Sequence, residues 1–177
     1  MIIDIEKLAD IGISQYGIIP TMQIPFSQEI RKICEQNSCR KHATTWACPP
    51  AVGTFIECRE KCLSFESALV FNAVYPIEDS FDFEGMLAAH KEFKTICDKL
   101  YLMVNTQTNE FLLLSNESCI RCTKCTYPNS PCRFPDMLFP SIEGFGIVVA
   151  DLAKHARIGY VNGKNTVTYF GMLLYHD

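Results

Sequence analysis

No stretch of this sequence is apolar for the length of a membrane span. No run of lysine and arginine exceeds a few residues, and the formal net charge is −4, so a surface that tracks phosphates is not expected. The start, MIIDIEKLADIGISQYG, carries Asp4, Glu6 and Asp10. It lacks the positive start, the apolar run and the small-residue cleavage site of a signal peptide. There is no G-x-G-x-x-G, no P-loop, no nucleophile elbow and no paired-carboxylate site. Internal repeats and low-complexity linkers are also missing. These absences point to a cytosolic protein with no nucleic-acid or membrane partner.

Cysteine is what the sequence has in excess: ten in 177 residues. In a reducing compartment stable disulfides are rare, and clustered thiols bind metal or do redox chemistry. A disulfide scaffold would call for a shorter, loop-rich secreted chain with a poor core. Here 48% of residues are hydrophobic and 20% charged, enough apolar mass for one globular domain over 1–177.

The local patterns alternate helix and strand. Ser27 is an N-cap for a helix over 27–36, with Ile30, Ile33 and Cys34 on one face. Thr54 and Glu57 make a capping box for a helix to about Phe65. The apolar run 67–75, stopped by Pro76, reads as a buried strand. Helical spacing of apolar residues follows over 82–101. Strands are expected over 110–114 and 166–175, and a helix over 147–158 ended by Gly159. The expected fold is α+β: a single compact domain with a small mixed or antiparallel sheet flanked by helices, and two cysteine-rich metal-binding loops.

The densest loop is CIRCTKCTYPNSPCRFP, in which Cys119, Cys122, Cys125 and Cys132 follow the spacing C-x2-C-x2-C-x6-C. A thiolate at every third residue lets a curled loop point three sulfurs into one cavity. Bacterial ferredoxins present three ligands to a cubane in this way, with a later cysteine and a proline beyond it. Here the gap to Cys132 is wider than in ferredoxins, and Pro135 follows. Zinc prefers two separated C-x2-C knuckles. The spacing therefore favours a 4Fe–4S cluster, with zinc or plain buried thiols as the alternatives.

The earlier group, Cys34, Cys39 and Cys48, is looser, and Pro49 and Pro50 follow Cys48. Cys58 and Cys62, four apart on one helix face, are either a source of a fourth ligand or small apolar residues under the helix. Cys58 is the fourth ligand offered here. Cys97 lies on an apolar helical stripe and reads as core.

Among the other residues, His42 reads as a solvated loop histidine or a cluster neighbour, and His90 as a satisfied core or boundary residue. His155 and His176 have no evident partners. Arg40, Lys41 and Arg133 flank the cysteines and either offset the charge of thiolate-bound clusters or are solvated surface. Glu143 is expected to cap a helix, the alternative being proton handling. Trp46 either shields a cluster or anchors the first loop.

With these residues in view, the chain resembles the bacterial and archaeal family catalogued as domain of unknown function 2284, described as predicted metal-binding proteins. The matching residues are Cys34, Cys39 and Trp46-Ala47-Cys48-Pro49-Pro50. Later in the chain they are Cys119, Cys122 and Cys125, then Pro131-Cys132-Arg133-Phe134-Pro135, then Pro140-Ser141, Glu143 and Gly146. The resemblance implies a cysteine-ligated metal protein, common in anaerobes and of the iron–sulfur kind.

Three functions follow as expectations. The first is an electron-transfer protein with two 4Fe–4S clusters and a redox partner protein. Cys119, Cys122, Cys125 and Cys132 would hold one cluster, and Cys34, Cys39 and Cys48 the other, with Cys58 as a fourth ligand. The second is an enzyme that binds a small-molecule substrate at an open iron for sulfur transfer, desulfuration or dehydration. The third is a zinc-stapled interaction module in which nothing turns over.

Overall fold

The computed structural model describes residues 5–107 and 110–177, so Asp4 lies outside the described residues. A four-stranded sheet of order β1-β2-β4-β3 forms the middle layer. Its strands are β1 (Gln15–Pro20), β2 (Ser67–Pro76), β3 (Phe111–Ser115) and β4 (Thr166–Tyr175). Every pairing is antiparallel, so the α+β expectation holds and the sheet is not mixed. The long central pair runs from Ser67 opposite Tyr175 to Pro76 opposite Thr166.

Both faces of the sheet are covered. Side chains alternate along a strand, so Leu69, Phe71 and Leu173 face one way while Val70, Met172 and Leu174 face the other. The first set packs with Phe93, Cys97 and Leu100 of the long helix α4 (Phe83–Asn105). The second packs with Cys58 and Cys62 of α3 (Phe55–Leu63) and with Leu152 of α5 (Val149–His155). A strand buried on both faces reads as the continuous apolar run seen in β2. Among the described residues the other α-helices are α1 (Glu6–Asp10) and α2 (Gln28–Glu35), and short 3-10 turns lie at Thr21–Gln23, Pro135–Met137 and Glu143–Phe145.

The helix starts follow local chemistry. Ser27 accepts from the Glu29 amide at 3.2 Å at the head of α2. The Thr54–Glu57 capping box is complete at the head of α3. The end of α5 differs from expectation. Arg157, not Gly159, takes the left-handed conformation (φ 58°), the Arg157 amide bonds to Lys154, and the Ile158 amide to Ala153 at 3.0 Å. That double closure is a Schellman motif. Gly159 serves instead as a junction: its amide donates to Gln15 Oε1 at 2.7 Å, and its carbonyl accepts from Asn72 and Asn162.

A candidate metal centre and an adjoining cavity

Loop 116–134 follows β3 and has no regular secondary structure. Its shape is held by its own bonds. Thr126 Oγ1 donates to the Pro131 carbonyl at 2.8 Å, the Ser130 amide to the Thr126 carbonyl at 3.1 Å, and Arg133 Nη1 to the Lys124 carbonyl at 2.9 Å. Arg121 ties the loop to the body through the Met137 carbonyl and an ion pair with Asp98 of α4.

Cys119, Cys122, Cys125 and Cys132 line one narrow cavity inside this loop, all half-buried and all free thiols. Backbone N–H groups turn toward the sulfurs. The Phe134 amide donates to Cys132 Sγ at 3.4 Å. Burial pushes the Cys119 thiol up, against the Arg121 amide that favours its thiolate. Burial also pushes Cys125 up, but the amides of Tyr127, Trp46 and Thr126 and the Thr45 hydroxyl outweigh it and hold that thiol below its ordinary range. Donors converging on a thiol stabilise its charged, metal-binding form. The residues therefore fit a thiolate-ligated centre.

The first cysteine group gathers around a second cavity. Cys34 sits in the last turn of α2, with Cys39 and Cys48 on the loop beyond it. All three line a cavity of ≈ 440 Å³ together with Ser118, Glu143 and His90. Burial raises the Cys34 thiol, helped by Glu143 and Cys39. Burial pushes Cys48 up to about 11, against the Ser118 hydroxyl. Among the described residues, no three Cys, His, Asp or Glu side chains converge as the ligand set of a single metal ion.

The two cavities are neighbours because they share chain segments. Thr45 and Trp46 wall the four-cysteine cavity, and Cys48, two residues on, lines the other. Cys119 lines the first, while Ser118 and Ile120 on either side of it line the second. Trp46 anchors the four-cysteine loop, not its own. Its Nε1 donates to the Ser130 carbonyl at 3.1 Å, and its ring meets Tyr127 edge-on at 4.9 Å.

Several expectations need amendment. Cys58, offered as a fourth ligand, does not line the cavity. It is buried in the core under α3, its thiol 3.4 Å from the Val52 carbonyl and 3.9 Å from Arg31. Cys97 is a core residue as expected, and Cys62 takes the apolar alternative beneath its helix; both are fully buried, and burial pushes each thiol to about 12. Glu143 is not the cap of its turn. Ser141 takes that role, accepting from the Gly144 amide at 3.0 Å and donating to Glu143 Oε2 at 2.9 Å. This leaves the Glu143 carboxyl facing the cavity, where burial raises its pKa. His90 is buried but not satisfied, since its Nε2 has no partner. His155, thought partnerless, bonds through Nδ1 to the Gln23 carbonyl at 2.7 Å. His176 lies 4.0 Å from Glu66. Ser118 was missed altogether. Its only sequence signal was its position directly before Cys119.

Fold and cavities together describe an α+β protein with two thiol-lined loop sites. The chain belongs to the family described as predicted metal-binding protein (DUF2284), whose model matches residues 17–175. Among solved structures, epoxyqueuosine reductase from Bacillus subtilis is similar over 96% of this chain and 43% of that one, at 11% identity and a TM-score of 0.40. The chain thus spans less than half the length of that protein. No curated protein matches. Among the described residues, no helix is long and apolar enough to cross a membrane.

Proposed function

We propose that this metal-binding chain is an iron–sulfur redox protein of a reducing compartment. Cys119, Cys122, Cys125 and Cys132 would hold one 4Fe–4S cluster, and Cys34, Cys39 and Cys48 a second. When bound, such clusters supply one-electron chemistry, and an iron without a protein ligand adds Lewis acidity. The observation that carries this reading is the contrast between the two sites. Four half-buried thiols line a narrow cavity, while next to them three cysteines line a roomier one with no further cysteine in its lining.

The residues divide the work. The amides of Trp46, Thr126, Tyr127 and Phe134 favour the thiolates of the four-cysteine loop. That loop is the side at which a redox partner protein would deliver electrons. The shared segments around Trp46 and Cys119 keep the second site close by. There Ser118 and Glu143 offer hydrogen bonds beside the thiols. The reading as an enzyme acting on a small molecule is favoured over a bare electron carrier by that cavity.

The test is iron, zinc and acid-labile sulfide per chain on anaerobically purified protein, with a redox titration of the same sample. About eight irons with matching sulfide and reversible bleaching are expected. Zinc without sulfide would leave a structural staple in place of a redox protein.

A further inference from the structure

The cations that flank the cysteines in sequence lie at the surface. Arg40, Lys41, Lys124 and Arg133 are all exposed, and water and salt screen a charge so placed. Lys94 of α4 is different. It is half-buried and its side chain reaches inward. Nζ donates to Ser115 Oγ at 2.7 Å and to the Asn116 carbonyl at 2.9 Å. Ser115 has no exposed surface, and Asn116 opens the loop that carries the four cysteines.

Neither acceptor is charged, so these bonds fix the ammonium without cancelling it. Arg121, the partly buried cation within the loop, is already paired with Asp98. Lys94, Arg121, Asp98 and Cys119 line one small cavity of ≈ 170 Å³ next to the four-cysteine cavity. Lys94 and the loop act on each other there. Burial lowers the Lys94 pKa, while Cys97, Cys119, Glu143 and Glu117 raise it. Burial raises the Cys119 thiol, and the Arg121 amide and then the Lys94 charge oppose that rise. A fixed positive charge beside a thiolate-bound centre favours the state with more negative charge, which is the reduced one.

We propose that Lys94 sets the reduction potential of the centre held by Cys119, Cys122, Cys125 and Cys132, keeping it above the value that the exposed cations alone would give. This rests on the iron–sulfur reading of that loop and names the residue that tunes it. Lys94 acts through its charge and not as a ligand.

The experiment is a redox titration followed by electron paramagnetic resonance on the anaerobically purified full chain. It is repeated in Cys39→Ser, to mark which couple belongs to the four-cysteine set. Lys94→Gln keeps a donor for Ser115 and Asn116 and removes the charge. It should weaken reduction about ten-fold, a fall of about 59 mV for one electron, with iron and sulfide unchanged. Lys94→Arg should keep the wild-type potential. Lys124→Gln removes an exposed charge between Cys122 and Cys125, and should move the potential by less than about a third as much. Added salt should abolish that smaller shift and leave the Lys94→Gln shift in place. An unmoved potential in Lys94→Gln, or equal shifts in Lys94→Gln and Lys124→Gln, overturns the proposal. If neither Lys94→Gln nor Lys94→Met loads iron, Lys94 is a structural tie and the proposal falls. Zinc without sulfide in the wild-type chain would remove the iron–sulfur reading itself, whereas intact clusters with an unmoved potential remove this inference alone.

Discussion

Arg31 of α2 bonds to the carbonyl of Gly144, 113 residues away in sequence. The same guanidinium bonds to the Gly53 carbonyl, and it is only 8% exposed. One buried cation thus ties the helix that carries Cys34 to the turn that carries Glu143 and to the loop before α3. Arg31→Met would leave both carbonyls without that donor. The expected cost is about 2–4 kcal/mol, read from the denaturant midpoint. Iron should fall from about eight to about four per chain, because Cys34 loses its placement while the four-cysteine loop is untouched.

The two thiol sets are predicted to load independently. Cys125→Ser should remove about four irons with their sulfide and leave the second set filled. Cys58→Ala should leave iron content unchanged and cost only about 1 kcal/mol of packing. Loss of iron in Cys58→Ala would show that the thiol swings out of the core to ligate, against its burial beneath α3.

His90 carries a pH signature. Burial lowers its pKa to about 4, with Lys94 and Lys41 adding to the shift. The folded state then resists protonation that the unfolded chain accepts from about pH 6.5 downward. Its contribution is fully present above that value and is lost as pH falls toward 4. Against His90→Gln, the wild-type chain should lose on the order of 1–2 kcal/mol more stability between pH 7 and pH 4, after solvent screening. Parallel stability curves for the two proteins would contradict this.

Much of the frame was legible because it is local. The capping box at Thr54 and Glu57, the apolar run of β2 and the stripe of α4 each declare themselves within one window. The strand β1 did not. Its six residues include Gly17 and end in Pro20, two residues that ordinarily argue against a strand. Gly17 is there because a Cβ would stand 2.0 Å from the Ala156 carbonyl oxygen, so the strand lies against the end of α5. The cysteine spacing exposed both thiol sets, but not what surrounds them. Ser118, His90 and Glu143 meet Cys48 only through tertiary contacts. Nothing at Glu143 itself distinguishes a capping carboxylate from one facing a cavity; the neighbouring Ser141 decides it.

Gly171 gives a test of the sheet itself. It sits opposite Phe71 in the β2–β4 register, and the Phe71 ring lies over it. A Cβ at Gly171 would stand 2.1 Å from Phe71 Cζ. The ring cannot retreat freely, because Phe93 of α4 packs on it with centroids 6.0 Å apart. Gly171→Ala should therefore overpack the layer between sheet and α4 and cost about 1–3 kcal/mol. Phe71→Leu alone should also cost about 1–3 kcal/mol, through lost packing. Together the two changes should cost less than their sum, since the smaller side chain makes room for the new methyl. Simple additivity in a double-mutant cycle would mean that Phe71 is not what makes glycine necessary at 171.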